Sequence, residues 1–249
     1  MKWYAYIFSF LISASLALSQ QFDTHIVNLN GELSEDDNYE ESIGRFDAYE
    51  MKLGKGDYIK INLKAEFFPL LTVVSPSGKY NIAYPQDNNL EVIHGQKIDE
   101  TGHWYIYVSG DKTDVGKHEM NIYYVSENSR DLPAQTDICT ITNFVLAHSN
   151  TNFFYFTDWD VFAESQEIFK NTSRSSNGNI SSFVLETDEM VSKNKFDEWS
   201  YQISECLGYD WEEKGSNNKI RFNEINGDRS IELIYDNEKI KLVISTKIK

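Results

Sequence analysis

The sequence predicts two units in tandem, an all-β sandwich followed by an α+β domain with an antiparallel sheet and two helices. Two observations carry this reading. Up to residue 125, apolar and polar residues alternate with period 2 between turn signals. From Thr136 the spacing becomes helical, then returns to alternation. The run 126–135, SENSRDLPAQ, is polar, carries Pro133 and lacks periodicity, so it reads as a linker. The expected division is a signal peptide over 1–19, a sandwich over 20–125, a linker over 126–135 and an α+β domain over 136–249.

Met1-Lys2 is a short basic start, and Trp3 to Leu18 is mostly apolar without an acidic residue. Ala17-Leu18-Ser19 has the small-x-small form of a cleavage site, so the natural cut falls between Ser19 and Gln20. No other segment approaches the length of a membrane span, and no cysteine stands at the cut. A soluble protein, secreted or periplasmic, is expected. Its formal charge of −16 becomes −17 without Lys2. Such a surface repels phosphate backbones and anionic lipid, which argues against nucleic-acid or membrane-surface binding. With 41% hydrophobic and 14% aromatic residues the chain should fold.

Phe22 to Leu29 alternates and fits an edge strand. Glu32 to Glu41 gathers six carboxylates. Glu35, Asp36 and Asp37 at its centre are candidate calcium ligands, because hard cations want clustered oxygens. The run lacks EF-hand spacing, and the alternative is a solvated acidic loop. Tyr58 to Leu63 alternates strictly, and Leu70 to Val74 is a denser run that suits a strand buried on both sides. Ser75-Pro76-Ser77-Gly78 places Pro and Gly where a β-turn needs them. Trp104, Ile106 and Val108 alternate with Tyr105, Tyr107 and Ser109, and Met120, Ile122 and Tyr124 close the sandwich. Trp104, Tyr105 and Tyr107 form a sugar-stacking platform if several rings point outward. Otherwise half of them fill the core, since aromatics favour strands anyway.

In the second unit, Ile138, Ile141, Val145 and His148 lie at helical spacing behind Asp137. Phe153 to Phe156 and Val161 to Phe169 are expected strands. Lys170 to Asn179 is expected to be a flexible Ser/Asn/Gly loop, and Ile180 to Glu186 a strand. Glu189 to Leu207 is the clearest helix, with Phe196, Trp199, Ile203 and Cys206 on one stripe and Gly208 behind it. Lys219 to Ile225, Ser230 to Tyr235 and Lys239 to Ile248 complete the order α-β-β-α-β-β-β. Cys139 and Cys206 fall on the two expected helices. In an exported protein this invites a disulfide worth roughly 4 kcal/mol on the chain-entropy model; the alternative is a pair of buried thiols.

Residues 30 to 125 also resemble the bacterial pre-peptidase C-terminal domain, a small jelly-roll-like sandwich appended to secreted proteases. The motifs are Phe46 to Tyr49, Gly56-Asp57, Phe68-Pro69-Leu70-Leu71, Pro76-Ser77-Gly78, Asp87-Asn88-Asn89, Thr101-Gly102-His103-Trp104-Tyr105 and Gly116 to Met120. Phe68 replaces the family's corner aspartate, which removes an oxygen ligand that some members offer to calcium. The resemblance implies a targeting or macromolecule-binding role, or a chaperone or inhibitor of a separately encoded envelope protease.

No G-x-S-x-G, H-E-x-x-H, P-loop or G-x-G-x-x-G motif is present, and the five histidines are scattered, the sandwich ones suiting exposed loops. Glycoside hydrolysis needs only two carboxylates, yet it also needs a cleft that hairpins do not advertise. The expected function is a non-catalytic binding or accessory protein, its partner another envelope or secreted protein. Polysaccharide is the alternative ligand. No cofactor is expected beyond possible calcium.

Overall fold

The computed structural model describes residues 22–86, 90–130, 132, 137–158 and 169–248. The expected signal peptide, the 87–89 loop, residues 161–168 of an expected strand, and most of 131–136 lie outside these residues.

Nine strands build two antiparallel sheets. The first has the spatial order β1 (Thr24–Leu33), β9 (Gly116–Val125), β4 (Tyr58–Ala65), β7 (Glu91–Lys97). The second runs β2 (Tyr39–Glu40), β3 (Gly44–Leu53), β8 (Gly102–Gly110), β5 (Leu70–Val74), β6 (Tyr80–Ala83). Period-2 alternation puts Ile59, Ile61, Leu63, Met120 and Ile122 of the first sheet against Leu71, Val73, Trp104, Ile106 and Val108 of the second. A β-sandwich results. The Ser75–Lys79 turn closes as its residues require, with the Gly78 amide donating to the Ser75 carbonyl at 2.9 Å and Gly78 at φ 83°.

Six strands form a third antiparallel sheet, β10 (Phe169–Asn177), β11 (Ile180–Thr187), β15 (Lys239–Lys247), β14 (Arg229–Asp236), β13 (Lys219–Glu224), β12 (Trp211–Ser216). Phe183, Leu185, Ile231, Leu233, Leu242 and Ile244 turn one face to α1 (Ile138–His148) and α3 (Lys193–Leu207). Both helices start on side-chain caps, Asp137 accepting from the Thr140 amide at 2.8 Å and Ser192 from the Lys195 amide at 3.3 Å. The Cys139–Cys206 disulfide ties α1 to α3. The other sheet face is solvated and paired, with Lys219–Glu232 at 3.0 Å and Lys241–Glu186 at 2.8 Å.

Three expectations for this unit need correction. Phe153 to Phe156 is not a strand. Asn152 and Phe153 take left-handed φ of 54° and 59°, and α2 (Phe154–Asp158) follows. All four rings are buried, and burial on every side gives no alternation to distinguish strand from helix. Lys170 to Asn179 is largely β10, an edge strand whose backbone pairs with β11 while its polar side chains face water. Composition misleads there because an edge strand can be held by backbone pairing alone. Trp211–Ser216 adds a strand, so the described order is α-α-β-β-α-β-β-β-β.

The two units meet through buried groups. Tyr58 and Val125 of the sandwich belong to the same apolar cluster as Phe144, Phe154 and Tyr155. His148 Nε2 lies 2.8 Å from the Ser129 carbonyl, and its ring stacks on Tyr155 at 5.3 Å. Thr24 donates to the Ala147 carbonyl, and the Asp23 amide to Ser129 Oγ. Within the expected linker, the Glu127 amide donates to Asp57 Oδ1 at 3.0 Å and Arg130 to the Gly56 carbonyl at 3.1 Å. The segment is therefore packed over its described residues, and polarity there reflects bonding to the sandwich.

Two outcomes are expected. Reducing the disulfide, which spans a sequence separation of 67, should lower unfolding free energy by up to roughly 4 kcal/mol, read as the shift in denaturation midpoint on adding dithiothreitol. Burial pushes His148 down to about 4. The unfolded chain therefore takes up this proton first, and stability held above pH ~6.5 is lost as pH falls towards 4, about 3 kcal/mol from this residue. His148→Gln should flatten that slope in urea titrations between pH 7.5 and 4.5, at a cost in stability at neutral pH.

Candidate binding surface

Strand β8 sits at the centre of the five-stranded sheet, and its alternation divides its aromatics. Trp104, Ile106 and Val108 point into the sandwich; Tyr105 and Tyr107 point out. Trp104 is 1% exposed and its Nε1 donates to the Glu100 carbonyl at 3.0 Å. The expected platform is corrected at this residue, because its indole is core.

The neighbouring strands complete an outward face that the sequence reading did not assemble. In register, Ala48, Tyr107, Thr72 and Ile82 form one row across β3, β8, β5 and β6, while Glu50, Tyr105, Val74 and Tyr80 form the next. Phe46 meets Tyr107 edge-on, with ring centroids 5.5 Å apart and planes tilted by 77°. Tyr105 and Tyr107 lie 6.5 Å apart with planes only 28° from parallel. All of these residues except Glu50 line a groove of about 580 Å³ that also reaches Glu40, Ser42 and Ile43. Tyr80 is 66% exposed, Ile82 47% and Tyr105 39%. Glu40 is the single charged side chain in the lining.

The acidic loop is arranged differently from a metal site. Asp37 Oδ2 accepts the Ser34 amide at 2.5 Å within its own turn, and the Glu35 carbonyl accepts from Arg45. Glu35, Asp36 and Asp37 do not converge, and among the described residues no group of three or more His, Cys, Asp or Glu side chains does. The calcium expectation is corrected accordingly.

His118 departs from the exposed status expected of the sandwich histidines. It is buried between the sheets, with Nε2 2.8 Å from the Tyr49 hydroxyl and 3.6 Å from Asp47. Gly31 and Ala65 flank it across the sheet, and a Cβ on Gly31 would come within 2.4 Å of the imidazole. Burial lowers the His118 pKa against the opposing pull of Asp47, while burial raises Asp47. Within the trio the imidazole is buried, while the Asp47 side chain keeps 28% exposure.

No protein-family model matches the chain, and no curated protein matches it. Among solved structures the chain is similar to Aeromonas hydrophila PliG, a periplasmic inhibitor of g-type lysozyme, at 11% identity and a TM-score of 0.31, covering 41% of this chain and 87% of that one. It is likewise similar to the pre-peptidase C-terminal domain of a Bacillus anthracis collagenase, at 19% identity and a TM-score of 0.31, covering 39% and 89%. Salmonella Typhimurium PliG gives 14% identity, a TM-score of 0.29, and coverage of 40% and 91%.

Opposite exposure of adjacent β8 residues sets up a direct comparison. Trp104→Ala should cost roughly 3–5 kcal/mol as a core truncation, whereas Tyr105→Ala should cost less than about 1 kcal/mol. Equal losses in paired denaturation curves would contradict the assigned register.

Proposed function

We propose that the protein is an exported, non-catalytic binding protein that holds a macromolecular ligand against the outer face of the five-stranded sheet. The observation that carries this reading is a contrast within the chain. The outer face of the six-stranded sheet is covered with paired charges such as Lys219–Glu232 and Lys241–Glu186. The outer face of the five-stranded sheet instead presents Phe46, Tyr80, Ile82, Tyr105 and Tyr107 around one groove. Contiguous exposed apolar surface costs solubility, and a binding role accounts for its retention.

Export is supported by the basic-then-apolar segment ahead of Gln20 and by the Cys139–Cys206 disulfide. A non-catalytic role is supported by the chemistry of the groove. Its lining holds one carboxylate and no histidine, lysine, arginine or cysteine, so it offers no acid–base pair or activated nucleophile. The division into a sandwich over 20–125 and an α+β unit over 136–249, joined by 126–135, belongs to the same proposal. Among the described residues no helix is long and apolar enough to cross a membrane.

The test is affinity capture from the envelope and medium of the producing cell, using residues 20–249 as bait beside a Tyr105→Ala/Tyr107→Ala variant. A ligand retained by the wild-type chain and lost from the variant, with the thermal midpoint unchanged, is the expected result. Identical capture by both baits would move the binding surface elsewhere.

A further inference from the structure

We propose that β6 receives an extended, positively charged polypeptide segment, which pairs along its open edge as an added strand of the five-stranded sheet. This rests on the binding role assigned to that sheet face and adds the chemical class of the ligand and the backbone atoms that hold it.

Backbone geometry selects a polypeptide. Strand β6 ends its sheet and pairs with β5. At the hairpin, the Ser75 amide donates to the Lys79 carbonyl at 2.8 Å. Bonded and non-bonded pairs alternate along an antiparallel ladder, so the next bonded pairs are Val73–Asn81 and Leu71–Ala83. The amides and carbonyls of Tyr80 and Ile82 therefore point away from β5, along the open edge. An amide and a carbonyl presented together at every second residue are matched by another extended backbone.

The other sheet edges are guarded against such pairing, and β6 is not. Exposed charges stand on each of them: Glu32 on β1, Glu40 on β2, Lys97 on β7, Arg174 on β10 and Lys214 on β12. Charged side chains on an edge strand discourage a further strand from docking. Among the described edge strands β6, with the sequence YNIA, is the one without a charge. Tyr80 and Ile82 are exposed on it, and both reach the groove. Side chains directly opposite one another share a face, so the segment's residues paired with Tyr80 and Ile82 also lie on the groove side. Apolar residues at those alternate positions would extend the groove's apolar surface.

Charge favours a foreign basic segment over a second copy. Lys79, at the hairpin end of β6, is met by two carboxylates, Glu100 at 3.1 Å and Asp99 at 3.7 Å, which leaves that end negative. The whole chain carries −16, so two copies repel one another while a cationic segment is drawn in.

The experiment pans a random dodecapeptide phage library on residues 20–249 and measures the recovered peptides by fluorescence anisotropy. Peptides of net positive charge with apolar residues at alternate positions are expected. Hydrogen exchange on the wild-type chain reads the site without a mutation. The Tyr80 and Ile82 amides should slow by at least about tenfold when peptide binds, whereas the Asn81 and Ala83 amides, already bonded to β5, should change little. Ile82→Pro removes an outward amide without breaking a β5 bond, and should weaken peptide binding by at least about tenfold at an unchanged circular dichroism spectrum; Ile82→Val should bind as wild type. No enrichment, enrichment of acidic peptides, or exchange that slows elsewhere and not at Tyr80 and Ile82 overturns the inference. So does a dimer in sedimentation that Ile82→Pro abolishes, because the edge would then be filled by a second copy. If the Tyr105- and Tyr107-dependent ligand from the envelope binds Ile82→Pro as well as wild type, the added-strand inference falls and the binding role stands. If capture depends on neither the tyrosines nor Ile82, both fall.

Discussion

The register of β8 is the constraint on which the sandwich and its groove both depend. Side chains alternate across a strand, so one choice of parity sends Trp104, Ile106 and Val108 inward and Tyr105 and Tyr107 outward. A slip of one residue would bury two phenol hydroxyls and expose an indole, a valine and an isoleucine. The Trp104 Nε1 bond to the Glu100 carbonyl helps to fix the parity, because a buried indole N–H needs an acceptor and finds it four residues back. Pairing with β3 on one side and β5 on the other then transmits this parity to Phe46, Thr72 and Val74. Core and groove are two faces of one register.

A second constraint acts where the units meet. His148 is enclosed by Phe144, Tyr155 and Phe156, with the Ser129 carbonyl as its hydrogen-bond partner. Nε2 therefore carries the proton and donates, and the ring is neutral, in keeping with a pKa pushed down to about 4. A charged imidazole there would have no counterion among its ring neighbours. The same helix is tied at its other end by Cys139 to α3. Helix α1 thus links the sandwich, through Ala147 and His148, to the C-terminal layer, through its disulfide.

Much of this was legible in the sequence where alternation was strict. Tyr58 to Leu63, Leu70 to Val74 and the β8 run all read as the strands they are, and the stripe of Phe196, Trp199 and Ile203 marked α3. Legibility failed where the deciding information is non-local. The sequence pairs Trp104 with Tyr105 and Tyr107 in one run, yet both parities of that run are aromatic or apolar, so sorting them requires the opposing sheet. Phe46, Tyr80 and Ile82 join the groove from strands far apart in the chain, which only register can assemble. His118 reads as an exposed loop histidine, and only the pairing of β9 with Gly31 and Ala65 on either side shows it to be an inward strand residue. The Ser/Asn run of β10 carries no apolar signal at all, because an edge strand paired to β11 needs none.

The placement of the groove follows from how the outer faces of the sandwich are used. On the four-stranded sheet, Thr24, Val125 and Tyr58 lie in one row, and this row meets the helical layer: Thr24 bonds Ala147, and Tyr58 stacks on Phe154 at 6.1 Å. Tyr123, one row further in, contacts the same Phe154 at 5.0 Å. Aromatics on that outer face therefore have an intramolecular partner. Those on the opposite sheet, Tyr80 and Tyr105 among them, keep their exposure. The same strand chemistry, aromatic residues at outward positions, is satisfied within the molecule on one side and left open on the other. An outward aromatic stacked against a neighbouring layer contributes to folding, and one without such a layer contributes surface for association. The asymmetry makes the free face of the five-stranded sheet the place where this fold has binding energy to spend.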